Sequence, residues 1–348
     1  RLLWKPPRIC LLHNLQPMLR CGMINVDVLI IGGGISGHMM AKRLSILHPN
    51  LQVTIMDKGD GAIHPFHLHR PISEIPELVN LKPHRLITNI WDGQTMKHFP
   101  TVLDIGAYSR KIFGGKLQTH NLNSQPEITI FPISKHKLQT AFSTAVPVIN
   151  DTVDDIDSVN KIAYGRTSII CYKYLISTIP LPALLIMLEI NHNIPFCSFP
   201  FFATKATVPS TNMYWMIYNT DPSCNITRAT LLDDEIFLEL RDIGLKYRTE
   251  LSALELWKEK ENEFISQLFP DMEIKFSPFT RVFGRFNPLS QLLRKPLLHW
   301  LTQELDVFCL GRYGAWTFKV ANDVWDDTKQ ICSWINDKEQ GKKFRGGE

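Results

Sequence analysis

Gly32, Gly34 and Gly37, with an acid at Asp57, are the residues of this chain best suited to chemistry. Their spacing is that of dinucleotide binding. Gly32 permits a tight turn, Gly34 lets backbone approach a pyrophosphate, and Gly37 lets a helix pack close to a strand. A helix that begins at such a turn presents free N–H groups and its positive dipole end to phosphates. Asp57 stands twenty residues after Gly37, where a carboxylate accepts hydrogen bonds from ribose hydroxyls. Lys58 follows and is grouped with it as cofactor-binding. Without a ligand the same pattern is a glycine-rich β–α turn.

The flanking elements suit that role. The apolar run Val26 to Ile31 reads as a buried parallel strand, a helical pattern follows, and Val53 to Met56 reads as a second strand closed by Asp57. Residues 58–140 are mixed and rich in His, Pro and Gly, with a strand candidate at Ile128 to Phe131. Strand character returns at 146–149, 158–164 and 168–174 and leads into Tyr174–Pro180. A second sheet is expected from 201–208, 214–218, 228–231 and 235–240. A helix is expected over 252–268, capped by Ser252 and Glu255 and followed by Pro270. The strand 307–310 runs into Gly311-Arg-Tyr-Gly-Ala-Trp316 and a last helix at about 321–336.

The expected class is therefore α/β, a Rossmann-like dinucleotide domain interleaved with an α+β substrate domain. The nucleotide part takes 23–75, 141–190 and 291–336, and the substrate part takes 76–140 and 191–290. Residues 1–22 read as a disordered leader or translated upstream sequence, with Met23 a natural start, and 337–348 as a polar tail.

Bulk properties narrow the function. With 348 residues the chain can bury a sizeable core. Its net charge of +4 matches the four cations of residues 1–22, Arg1, Lys5, Arg8 and Arg20, which no acid accompanies there. The remainder is neutral, which gives no support for a nucleic-acid surface. The richest apolar run, Leu181 to Ile190, is too short to span a bilayer and holds Pro182 and Glu189. Seven scattered cysteines without a CxxC pair suggest a reducing, cytoplasmic setting and argue against a cysteine zinc site. His64, His67 and His69 crowd one segment, but no neighbouring acid or cysteine completes a metal site, so no metal is expected. Arg228 is placed to clamp a carboxylate or phosphate through its planar fork, or to pair with an acid such as Asp233. No Ser-His-Asp or Cys-His pattern and no P-loop stand out. Acid pairs such as Asp154-Asp155 fall at turns.

With these segments in order, the chain resembles the FAD-dependent amine oxidase superfamily, including protoporphyrinogen-oxidase-like and UDP-galactopyranose-mutase-like flavoproteins. The resemblance rests on DVLIIGGGISGHMMAKRL with Asp57, on YLISTIPLPAL at 174–184, and on LGRYGAWTFKVANDVWDD at 310–327. Weaker matches are IHPFHLHR at 63–70 and WMIYNTDPSCNITRAT at 215–230. It implies FAD as cofactor, with Gly311, Arg312, Gly314 and Trp316 lying against the flavin and His64 or His67 beside it. It also implies that Lys205 orders a water at flavin N5, and that Arg228 belongs to the substrate side. The implied activity is hydride transfer from a C–N or C–C bond of a small molecule to N5. Two alternatives are a sugar-nucleotide mutase using reduced FAD and a non-catalytic FAD-binding protein. A basic pocket around Arg228 and Arg281 would favour the mutase; an apolar pocket with Lys205 at N5 would favour the oxidase.

Overall fold

The computed structural model describes residues 22–59, 66–98, 100–113, 127–133, 135–242, 257–270 and 274–341. The first unit is β1 (Ile24–Ile31), α1 (Ile35–Leu47) and β2 (Val53–Asp57). There follow β3 (Phe66–Leu68), α2 (Pro76–Val79), β4 (His84–Trp91), β5 (Met96–Lys97), α3 (Val102–Phe113), β6 (Glu127–Ile133) and α4 (Lys135–Ala141). The middle supplies β7 (Val148–Asn150), β8 (Val153–Asp157), β9 (Ile162–Gly165), β10 (Ile169–Ser177) and α5 (Leu181–Met187). Then come β11 (Ser198–Thr207), β12 (Tyr214–Asn219), β13 (Ile226–Leu232), β14 (Glu235–Arg241), α6 (Glu259–Leu268) and β15 (Thr280–Phe286). The chain closes with α7 (Gln291–Glu304), β16 (Val307–Cys309), α8 (Gly311–Gly314) and α9 (Ala321–Glu339).

Two sheets result. The first runs β7-β2-β1-β10-β9-β8, with β16 also on β10. Strands β7, β2, β1, β10 and β16 are mutually parallel, so their carboxyl ends share one edge. Such an edge is where open α/β sheets bind ligands. The unbroken apolar run of β1 is explained by covering on both faces. Val28 and Ile30 pack with Met39, Met40 and Leu44 of α1 and Trp325, Ile331 and Ile335 of α9. Leu29 and Ile31 pack with Leu181, Leu184 and Leu185 of α5, Leu297 and Leu301 of α7, and Trp316. Each such side chain contributes about 1.5–3 kcal/mol by leaving water.

The second sheet runs β15-β11-β14-β13-β12-β4-β6-β3, antiparallel except for the parallel pair β12 and β4. One face is an apolar layer, in which Trp91, Phe202, Ile217, Leu231 and Leu238 pack on Phe264 and Ile265 of α6. The other face carries Tyr218, Arg228 and Glu239, which stand opposite one another in register.

The structure corrects several expected elements. The stretch 58–140 holds β4, an eight-residue strand, and α3. The strand expected over 158–164 is interrupted by a turn at Lys161, whose φ of 58° lies in the left-handed region. Within the helix expected over 252–268 the described part is α6, from Glu259, and Glu261 caps it: its carboxylate accepts from Lys258 N at 2.8 Å and from Asn225 N. Ser252 and Glu255 lie outside the described residues, as do residues 1–21. Helix α9 continues through Glu339, into the segment read as tail. Phe66–Leu68, placed in the nucleotide part by sequence, pairs with β6 of the second sheet.

One loop links the first sheet to the ribose end of the candidate site. Asp151 N donates to the Asp57 carbonyl at 3.0 Å. The Asp151 carboxylate accepts from Thr152 N, Arg166 N, Thr167 N and the Thr167 and Ser168 hydroxyls, at 2.7–3.1 Å. Burial pushes its pKa up, but these donors outweigh burial and hold it down at about 2. A carboxyl with a depressed folded pKa contributes stability that is present above its unfolded value, near 3.9, and lost as pH falls through the folded value. Asp151→Asn is therefore expected to lower stability by about 2 kcal/mol at pH 7 and to close that gap between about pH 4 and 2. Thermal melts of both proteins across this window check it. A gap that persists undiminished at pH 2 would contradict the assignment.

Candidate functional site

The carboxyl edge of the first sheet is shaped by close approaches that only glycine allows. Gly32 has φ of 97°, and a Cβ there would lie 2.4 Å from Thr178 Oγ1. A Cβ on Gly37 would lie 2.1 Å from the Gly32 carbonyl oxygen, so α1 packs directly on the turn. Gly34 differs: its φ is −68° and a Cβ would meet nothing within 4 Å. It borders open space at the start of α1. That start has no side-chain cap and no acid in its first turn, so its N–H groups and dipole face the opening. This is the cradle a pyrophosphate requires.

Gly33, which the glycine spacing did not single out, is equally constrained, because a Cβ would sit 2.8 Å from the Asp57 side chain. Its signal was the run of three consecutive glycines. Asp57 closes β2 half-exposed, and its Oδ2 accepts from Gly59 N at 3.1 Å. Lys58 is exposed beside it. His38, also unforeseen, faces this end from α1. Burial lowers its pKa while the Asp57 charge pulls it up.

The C-terminal segment enters the same edge. Leu310 N donates to the Ser177 carbonyl at 2.8 Å. Gly311, with φ of 83°, lies where a Cβ would be 2.4 Å from Ser36 Oγ, and a Cβ on Gly314 would lie 2.6 Å from the Ser177 oxygen. So α8 is wedged between the start of α1 and the end of β10. Trp316 is buried with a left-handed φ of 49° and packs on Phe286 and Phe196, with ring centroids 4.7 and 5.2 Å away. Such strain in a bulky residue persists where surroundings over-determine it. Three buried polar atoms here have no partner among the described residues: Ser177 Oγ, Arg312 Nε and Trp316 Nε1. Orphaned groups of this kind, around an uncapped helix start, fit a polar cofactor such as FAD.

Opposite this segment stands the polar face of the second sheet. Glu239 of β14 is buried and bridges two arginines. Arg228 Nη2 donates to Oε1, and Arg285 Nη2 donates to Oε2 at 2.5 Å. Arg285 also donates to the Thr227 hydroxyl and lies over the Phe201 ring at 4.9 Å. Arg228 keeps 30% of its side chain accessible, so part of it stays within reach of a ligand. Burial lowers its pKa, but Glu239, Tyr218 and Tyr108 outweigh that and hold it above its ordinary value. Arg312 lies over Phe318 and Phe286, 4.9 and 5.6 Å from the ring centroids. Burial lowers its pKa, and it feels the charges of Arg228 and Glu239. Tyr108 of α3 and Tyr218 pack edge to face at 4.9 Å, and burial raises both phenols, keeping them proton donors.

His67 of β3 stacks on His69 at 5.6 Å, and its Nδ1 is buried without a partner among the described residues. Burial, His69 and Arg228 together lower its pKa to about 4, so it is neutral at pH 7. Asn322 of α9 fixes this segment: its Oδ1 accepts from His69 N at 2.8 Å and its Nδ2 donates to the Arg70 carbonyl at 2.8 Å.

The structure thus gathers Gly32, Gly34, Gly37, Asp57, Gly311, Arg312, Gly314 and Trp316 at one edge, with Arg228 and His67 across from them. Arg228 pairs with Glu239, not Asp233. Arg285 joins it, whereas the side chain of Arg281 lies outside the described residues, as does His64. Lys205 is on the same face of the second sheet as Glu239. It lies on β11 two residues beyond Ala203, the register partner of Glu239, on the side away from the Ser198 end that adjoins Trp316. Its ammonium is half-buried and has no ion pair among the described residues. No three His, Cys, Asp or Glu side chains come together as a metal site among the described residues. No helix among them is long and apolar enough to cross a membrane.

No protein-family model matches the chain, and no curated protein matches it. Solved structures do. A reduced UDP-galactopyranose mutase matches with a TM-score of 0.64 at 14% identity, covering 92% of this chain and 96% of that one. A protein described as a candidate protoporphyrinogen oxidase from Exiguobacterium matches at 0.57 and 11% identity, covering 91% and 100%. The p-nitrophenol 4-monooxygenase PnpA from Pseudomonas putida matches at 0.56 and 11% identity, covering 92% and 82%. The chain therefore has the α/β fold of these proteins, a Rossmann-like unit joined to a second sheet, as the sequence resemblance implied.

Proposed function

We propose that this chain is an FAD-dependent flavoenzyme acting on an anionic small molecule, with sugar-nucleotide rearrangement of the mutase type as its reaction. The observation that carries this reading is the pairing of Arg228 and Arg285 with the buried carboxylate of Glu239, with Arg312 of the C-terminal segment near enough to feel their charges. Such a wall suits a ligand with phosphate groups better than a neutral or cationic amine. The match to a mutase over nearly the full length of both chains supports it.

Each residue then has a task. The start of α1, with Gly34, receives the cofactor pyrophosphate, and Asp57 takes the ribose hydroxyls. The backbone of Gly311 to Gly314 would hold the flavin. What the flavin supplies when bound is the giving or taking of an electron pair at N5. Arg228 and Arg312 hold the anionic end of the substrate. Neutral His67, beside Arg228, holds an unshared pair at a buried ring nitrogen and can take a proton there. Tyr108 and Tyr218 donate hydrogen bonds and keep water out.

Two-electron oxidation of a C–N or C–C bond is the second reading, supported by the aromatic wall of Phe286, Tyr313, Trp316 and Phe318. Purified protein should be yellow and release FAD rather than FMN. After anaerobic reduction it should isomerise a nucleoside-diphosphate sugar, while amines leave the oxidised flavin unbleached. Protein that is colourless and takes up no added FAD would end the flavoenzyme reading. Bleaching by an amine would instead favour the oxidase.

A further inference from the structure

We infer that Glu239 is an internal counter-ion that sets how tightly, and for what charge, the arginine cavity holds an anion. This rests on the anionic-substrate reading and goes beyond it, because Glu239 itself would repel the substrate. Its carboxylate is buried and takes one edge each of Arg228 and Arg285. Among the described residues, two guanidinium groups pair with one carboxylate and that of Arg312 feels the same charges, with His67 neutral beside them, an excess of two positive charges. That excess matches a diphosphate diester, which carries two negative charges. Without Glu239, Arg228, Arg285 and Arg312 would have no ion-pair partner among the described residues.

The placement is built, not incidental. Thr227 O–H donates to the Glu239 carbonyl at 2.8 Å, and the same hydroxyl oxygen accepts from Arg285. Arg285 is only 12% exposed and is committed to Thr227, Glu239 and the Phe201 ring. Arg228, 30% exposed and with an unpartnered buried Nε, keeps the edge that a ligand can reach. Glu239 therefore divides the pair: Arg285 serves the carboxylate, and Arg228 serves both the carboxylate and the cavity. A charge within several ångströms of the ligand, at the effective dielectric of a protein site, changes affinity by about ten-fold or more.

The test uses FAD-loaded protein and inorganic pyrophosphate as probe, titrated at low and high salt. Glu239→Gln keeps the shape and removes the charge. It should bind pyrophosphate about ten-fold or more tighter than the unaltered protein, with a steeper salt dependence, and Glu239→Asp should restore the original salt slope. Because unmatched arginines threaten folding, the same change is also made in an Arg285→Met background, where it should again tighten binding relative to Arg285→Met alone. If folded Glu239 variants bind pyrophosphate equally or more weakly, Glu239 only shapes the wall and the inference fails while the anion site stands. If the unaltered protein does not bind pyrophosphate and Arg228→Met makes no difference, the anionic-substrate reading fails with it.

Discussion

Replacing Gly34 by Val should give a folded protein that has lost its flavin. Its backbone, at φ −68°, suits any residue, and a Cβ there meets no protein atom within 4 Å. The branched side chain would fill the space where backbone N–H groups of α1 meet phosphate. Losing two such charge-assisted bonds, at about 1.5–3 kcal/mol each, weakens FAD by about a hundred- to ten-thousand-fold. Gly37→Val is the contrast. Its Cβ would stand 2.1 Å from the Gly32 oxygen, so α1 must lift off the sheet and the fold itself should fail. Melting curves and flavin absorbance separate the two. If Gly34→Val retains flavin, the pyrophosphate does not lie at α1.

Arg228→Met should leave FAD content intact and weaken the substrate by about thirty-fold or more, from a loss of about 2–5 kcal/mol. The loss should fall on KM more than on kcat, because the anion is held alike in ground and transition states. Glu239 retains Arg285, so no carboxylate is stranded. A second readout is independent of turnover. Arg228 is one of three causes that hold His67 at about 4, after burial and His69. Without that cation the pKa of His67 should rise toward its ordinary value, which NMR titration of the ring measures. An unchanged His67 titration would mean that the two do not face one another.

The nucleotide edge was legible because its constraints are local. Strand, glycines, helix and acid lie within residues 26–57, and each is a backbone requirement that leaves few residue choices. The arginine wall was only half legible. Arg228 drew notice through its resemblance segment, but Glu239 and Arg285 did not, since their meeting depends on the register of β13 against β14 and of β11 against β15. The one available signal was an acid alone in the apolar run Ile-Phe-Leu-Glu-Leu of β14, a position where burial demands a partner. Strand β4 was hidden by Pro83 before it and by its partner β12, more than a hundred residues away. Helix α7 was hidden by Pro296, which sits inside the helix beyond its first turn and removes one backbone hydrogen bond.

The wedging of Gly311 against Ser36 has a consequence for biosynthesis. The pocket's first wall leaves the ribosome well before its last. At about 5–20 residues per second, roughly a quarter of a minute to a minute separates Gly37 from Gly311. Through that interval β1 and β10 lack β16, and the turn at Gly32 has no lid. Cofactor capture then waits until Gly311 has emerged, and chains cut short before Gly311 should stay apo however much FAD the cell supplies.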